Sequence, residues 1–481
     1  MILMGIIKKH PFLAVFLVFY TTLIAYKLIA TPAPFYDWDE SIYMQVGKEM
    51  INAKSFTPLW QGQLWFEKPP LAPFIYGLLN ALPFMPEIST RIFSLALSLI
   101  ALCLIYIWVQ KISRNKLIST LTIVLTAFNP IFLQRTQTVN TDIFLLIGWL
   151  GYMLVFPRFW LSLLFLFLGV FSKSVLGFYP LLLILFFNTY KYLKKEINRK
   201  SFLKLRKIFF RQTAILSVWY IIMFGFYGND FLRTHFGDHL LRRVTSSIES
   251  HFGQRTFYVD VIVEQYGYYL LAALLGLILF LKNSKKDVEK IILGLLFIPW
   301  FIFLNLSKTK IAWYLYLFVP QIAFLISYSL SILNRNGKPV RIIMPVIAIV
   351  LFYNLVVPGN FFKTFYSKYD ENYRLAKFAK DKCNSINFLL SKNSRETFKV
   401  LGSMNLLIST SKFYGSNPSI VYYSGKKVNW LYNKAEAENA IKSLSGTACL
   451  AIQKDDLDII KGNLDLELMT TFGQIYLYQK K

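Results

Sequence analysis

Charge is scarce in this chain. Asp, Glu, Lys and Arg make up 16% of its 481 residues, where a soluble protein carries about 25%. Acidic residues are the scarcer kind, 26 against 53 basic, which leaves a net charge of +27. Cysteine is rarer still: Cys103, Cys383 and Cys449 are the full set, and no pair has the CxxC spacing of a zinc or iron–sulfur site. There is no GxxxxGK[ST], and no GxGxxG follows a strand pattern, so Walker-type and Rossmann-type nucleotide binding are excluded. Asp37-Trp38-Asp39 has the DxD spelling, but outside any soluble nucleotide-sugar fold.

What fills the chain instead is apolar: 55% hydrophobic and 17% aromatic residues. That composition specifies a polytopic membrane protein. Lys8 and Lys9 precede an apolar run from Phe12 to Ala30, long enough to cross about 30 Å of hydrocarbon. Further runs fall near 89–109, 116–133, 141–156, 158–171, 175–190, 207–226, 262–281, 289–305, 311–333 and 340–357, about eleven in all. With a cytoplasmic N-terminus every basic cluster then lands inside, the longest between Lys191 and Arg211. The basic residues are thus topology determinants spread over separate loops, which excludes nucleic-acid binding.

This topology divides the chain into a membrane domain, 1–357, and an extracytoplasmic domain, 358–481. The outer loop 31–88 is Pro- and Trp-rich, and the spacing of Ile42, Tyr43, Val46, Met50 and Ile51 predicts a helix along the membrane surface. The last 120 or so residues read as a small α/β domain. Strands are expected at Lys399–Leu401, Ile420–Tyr423 and Ala448–Ile452, and helices at Lys434–Leu444 and Asp455–Ile460. In an oxidising compartment Cys383 and Cys449 are candidates for a disulfide.

The unusual polar residues fall at outer ends of spans, where ionisable groups mark function by default. Asp39-Glu40-Ser41-Ile42-Tyr43, then Gly47-Lys48-Glu49-Met50, then Phe66-Glu67-Lys68-Pro69-Pro70-Leu71 and Arg91 follow one another in the first outer loop. Asp142, Ser172-Lys173 with Gly177 and Pro180, and Ser307-Lys308-Thr309-Lys310 with Tyr314 and Pro320 come later. In this order they resemble the aminoarabinose transferase and protein O-mannosyltransferase superfamily of C-type membrane glycosyltransferases. The resemblance covers most of the membrane portion; its specific part is the first loop.

The resemblance implies a polyprenyl-phosphate-linked sugar as donor and a hexosyl or pentosyl transfer at the outer face of a plasma or inner membrane. The acceptor is a glycolipid, a glycan or a protein of the cell envelope. Lys68 is the leading candidate for the donor phosphate, with Arg91, Arg135, Lys173, Lys310 and Tyr314 in support, because fixed cations stabilise charge building on the leaving group. Asp39 is the candidate base, with Glu40 beside it and Asp142 as a second acidic position. Asp39 has an alternative role as helix N-cap. Glu67 with His239 and His251 forms a candidate set for a divalent metal ion. A lipid or polysaccharide transporter without chemistry is the competing expectation, and a lipid-linked glycan polymerase or ligase a third.

Overall fold

The computed structural model describes residues 11–36, 38–285, 287–332, 369–461 and 465–481, with isolated positions between 346 and 353. Asp37 and most of the expected span 340–357 lie outside the described residues. The chain divides into two compact units, one of residues 1–31, 90–231 and 253–363, the other of 32–89, 232–252 and 364–481.

The first unit is helical. Its opening helix, Pro11–Ala30, has 20 residues and reaches about 30 Å at 1.5 Å per residue. Four helices are long and apolar enough to cross a membrane, and up to seven if each of three bent pairs counts as one span, among the described residues. The bends have sequence causes. Helix Lys116–Ala127 begins where Asn115 accepts the amides of Leu117 and Ile118. Asn129 repeats the device two residues past that helix's end, with Pro130 in the first turn, so Pro130–Thr136 starts anew at 73°. Helices Asp142–Val155 and Phe159–Lys173 are expected spans found as separate helices of 14 and 15 residues. They approach until a Cβ on Gly148 would lie 2.8 Å from the Phe165 carbonyl oxygen, the small-residue contact that membrane helices use in place of a hydrophobic drive.

The second unit carries the loop 31–88 from Pro32 onward. Helix Asp39–Asn52 forms as the periodicity predicts, but it is buried along most of its length against helix Leu71–Asn80. The contact is backbone on backbone: a Cβ on Gly47 would sit 2.2 Å from the Pro73 carbonyl oxygen, and one on Gly77 2.2 Å from that of Gly47. Between the helices Leu59–Trp60 and Gln63–Leu64 form a hairpin whose turn residues, Gln61 and Gly62, both have positive φ. The Glu49 carboxylate accepts the amides of Gln61 and Gly62 at 2.7 and 2.9 Å and pins that turn to the helix.

The C-terminal part of this unit is the expected α/β domain. Its sheet runs in the order Lys427–Leu431, Ser385–Leu389, Cys449–Gln453, Ile475–Lys480, Leu466–Phe472. The first three strands are parallel and the last two antiparallel. The strand at Cys449–Gln453 and the helix at Lys434–Lys442 agree with the sequence reading. Asp455–Ile460 falls within a 3-10 helix, Lys454–Ile460. Two expected strands are helices. Lys399–Leu401 belongs to helix Lys392–Ser403, where Leu401 is buried and Val400 exposed, and Ile420–Tyr423 lies in the fully buried helix Ser419–Ser424. Burial on all sides overrides the β preference of Ile, Val and Tyr there. Cys383 and Cys449 are bonded, with Cα atoms 5.7 Å apart, and Cys103 is buried and free.

Candidate active site

Each unit holds one cluster of the expected residues. In the second unit Asp39 is the first residue of its helix and Trp38 is the N-cap, so capping falls to the residue before Asp39. Trp38 has φ 140° and ψ −113°, which an L-residue rarely adopts. Glu40 is buried and accepts the Tyr36 amide at 2.7 Å, which folds the preceding loop back on the helix. Lys68 meets the Tyr43 hydroxyl and lies over that ring, 4.5 Å from its centroid. Two prolines follow the lysine, and Pro70 caps the next helix.

Glu67 sits in a buried polar knot. Its Oε1 accepts from the Tyr414 hydroxyl and lies 3.6 Å from His239 Nε2. Tyr414 in turn accepts the Trp65 indole N–H at 2.5 Å. His239 Nε2 is also 3.2 Å from Thr410 Oγ1, and His235 Nδ1 is 2.7 Å from the Phe66 carbonyl oxygen. Burial pushes the Glu67 carboxyl above the usual carboxylate range, against the opposing pull of Thr410, Tyr414, Lys68 and Arg243. Burial and the Glu67 charge hold the Tyr414 hydroxyl well above its ordinary value. His251 is held below 6.5 by burial and by Arg243, opposed by Glu249 and Asp39. Arg243 pairs with Glu249 at 2.9 Å.

Of the three expected metal ligands, Glu67 and His239 meet. Their 3.6 Å separation suits adjacent donors on one ion with bonds of about 2.1 Å, for which roughly 3.4 Å is the tetrahedral edge. His251 lies instead beside the Arg243, Glu249 and Asp39 charges. Among the described residues no group of three or more His, Cys, Asp or Glu is placed to hold a metal.

In the first unit Asp142 is the hub. It is buried at the start of its helix, bonded to Arg135 at 3.0 Å through one oxygen and to Lys173 through the other. Aromatic faces cover both cations: Arg135 lies 5.0 Å from the Trp313 ring and Lys173 4.8 Å from the Tyr314 ring. One carboxylate between two cations leaves a net positive charge, suited to an anion. Lys310 is differently employed. Its ammonium donates to the carbonyls of Leu304 and Asn305 at 3.1 and 3.0 Å, satisfying the end of helix Ile298–Leu306. It also lies 5.1 Å from the Tyr258 ring. Arg91 is buried on helix Pro86–Ser113.

The sequence reading missed Tyr414, Thr410 and Trp65. Tyr414 is 347 residues from Glu67 and lies in a segment without periodicity, so no local pattern announces it.

The fold has counterparts among solved structures. ArnT from Cupriavidus metallidurans bound to undecaprenyl phosphate aligns over 97% of both chains with a TM-score of 0.64 at 13% identity. Its apo form aligns over the same shares with a TM-score of 0.67 at 12% identity. This chain has the C-type glycosyltransferase fold. The archaeal oligosaccharyltransferase AglB from Archaeoglobus fulgidus, in complex with an inhibitory peptide and a dolichol-phosphate, matches 94% of this chain and 70% of its own. Its TM-score is 0.62 at 13% identity. By sequence, an uncharacterized protein of Aquifex aeolicus (strain VF5) is 21% identical over 298 residues, 60% of this chain and 58% of the relative's length. No known family model matches the sequence.

Proposed function

We propose that the protein transfers a sugar from a polyprenyl-phosphate donor to an acceptor on the extracytoplasmic face of a membrane. The observation that carries this reading is the two-way 97% coverage against a structure bound to undecaprenyl phosphate. Supporting it, cations and carboxylates expected from the first loop and from later segments gather in polar clusters, one within each unit, rather than as scattered surface charge. The Cys383–Cys449 bond favours an oxidising compartment for the C-terminal domain.

In this reading the acceptor oxygen attacks the anomeric carbon as the bond to the phosphate oxygen breaks. Asp39 takes the acceptor proton and Lys68 binds the leaving phosphate; in the first unit, Arg135 and Lys173 are the anion-binding cations. Asp142 holds the last two in position rather than reacting itself. Glu67 and His239 would hold a divalent ion, which supplies further positive charge for the phosphate. Metal content by mass spectrometry checks that assignment: wild type should retain about one ion per chain and Glu67→Ala none.

The test of the donor is co-purification. Wild type in a mild detergent should carry a polyprenyl phosphate, with or without its sugar, and Lys68→Ala should be depleted of it. If folded wild type neither carries nor takes up polyprenyl phosphate, the donor assignment fails and a transporter becomes the better reading.

A further inference from the structure

A cleft of about 300 Å³ opens within the second unit, with Trp38, Glu249 and Ser250 on one side and helix Lys392–Ser403 on the other. It continues into an outer lobe of about 480 Å³, the two sharing Ser250, Asn393, Thr397 and Leu401. The cleft adjoins the Glu67 cluster by direct contact. Trp38 packs edge-on against Tyr414, at 5.8 Å between centroids, and Glu249 joins Arg243 to Ser411. Three residues of its wall hold positive φ without being glycine: Trp38 at 140°, Glu249 at 54° and Ser250 at 64°. Strain of this kind persists where surrounding structure enforces it and clusters at ligand sites.

The lining defines the ligand. Trp38 and Phe398 offer aromatic faces, Asn393 an amide, and Ser394, Thr397 and Ser411 hydroxyls. Among the described residues no Lys or Arg lines either lobe, Glu396 adds a carboxylate to the outer one, and the Glu249 carboxylate is already engaged by Arg243. Hydroxyl and amide partners with aromatic faces suit a neutral sugar, whereas an anionic head group finds no cation. The outer lobe exposes Phe252, Val400 and Met404, apolar surface suited to the C–H faces of further sugar units.

We propose that this cleft is the acceptor site and that the acceptor is a neutral oligosaccharide. The proposal rests on the transferase reading above. A hydroxyl of the bound glycan supplies the electron pair of the new glycosidic bond at the donor's anomeric carbon. Its proton passes to Asp39, and the pair from the broken carbon–oxygen bond leaves with the polyprenyl phosphate.

The test uses the full chain in lipid nanodiscs free of glycoside detergent. Saturation-transfer NMR is recorded with maltotetraose and chitotetraose, with a phosphorylated tetrasaccharide, and with a Ser/Thr-containing octapeptide. Thr397→Trp fills the cleft from an exposed helical position and leaves the core untouched. Asn393→Ala removes one amide. Undecaprenyl phosphate uptake is measured on the same samples. At least one neutral tetrasaccharide should bind wild type, lose at least tenfold in affinity in Thr397→Trp and weaken in Asn393→Ala, with lipid uptake unchanged. Binding of the phosphorylated sugar or peptide alone, neutral binding that survives Thr397→Trp, or no binding by any probe overturns the proposal. Sugar binding without lipid uptake would instead defeat the donor assignment and leave the cleft standing as a sugar site.

Discussion

Removing the Asp142 carboxylate should harm the fold more than removing either of its partners. Asp142 is 4% exposed at its side chain, Arg135 7% and Lys173 13%, so all three charges are shielded from water. Asp142→Ala removes the carboxylate that both buried cations share, a defect of about 3–5 kcal/mol. Lys173→Met leaves the Arg135–Asp142 pair intact, and its loss is that of one charged hydrogen bond, about 1.5–3 kcal/mol. At roughly 2–4 °C per kcal/mol for a unit of this size, Asp142→Ala should lower the melting temperature by about 6–20 °C. The decisive variant is the triple Arg135→Met, Asp142→Leu, Lys173→Met. An apolar set of similar volume is often neutral or stabilising in place of a buried ion cluster, so the triple should melt near wild type while losing polyprenyl phosphate uptake. Heating in detergent followed by size-exclusion chromatography reads both stability and monodispersity. An Asp142→Ala melting point within about 2 °C of wild type, or a triple variant less stable than the single, would refute the electrostatic account.

Other outcomes follow from particular contacts. Gly77→Leu must push a side chain into the Gly47 backbone, which already lies where a Cβ would be. Its cost should exceed the roughly 1–3 kcal/mol of ordinary overpacking, read as loss of the folded peak in chromatography. Cys383→Ser opens a loop with a sequence separation of 66 and should destabilise the C-terminal domain by about 4 kcal/mol in the chain-entropy account. Limited proteolysis should then cut that domain first, and non-reducing gels should lose the compact band. The His251 imidazole has a folded-state pKa below 6.5, so the unfolded chain takes up its proton first as pH falls. Its contribution is present above pH 6.5 and is lost as pH drops from there through the folded-state value. His251→Asn should therefore flatten the fall in melting temperature between pH 7 and 5, and an unchanged slope would show that other groups set it.

The sequence was most readable where chemistry and periodicity coincide. Helix Asp39–Asn52 could be drawn from five apolar positions, and Glu67 and His239 were paired although 172 residues apart. That helix is expected along the membrane surface and is instead buried; Gly47 reads as a weak helix former until Gly77 is known to lie against it. The same limit hid the employment of Lys310. A lysine after a span looks free to meet a phosphate, and only the three-dimensional course of Leu304 and Asn305 reveals the carbonyls it satisfies. The two misread strands are runs of three and four residues, over which no period can be told. Tyr414 had no signal at all, since its partners Glu67, Trp65 and Trp60 come from the opposite end of the chain.

The crossing at Gly47 and Gly77 gives the first outer loop a property that its side chains do not control. Asp39 stands two turns before one glycine and Lys68 nine residues before the other, each on rigid backbone or a proline pair. The gauge between acid and lysine is therefore tied to a contact of main chain on main chain. A lineage adapting this scaffold to a new sugar has to keep that gauge and alter what surrounds it. Engineering for altered specificity should follow the same division: treat the two crossed helices as a fixed jig and vary the walls.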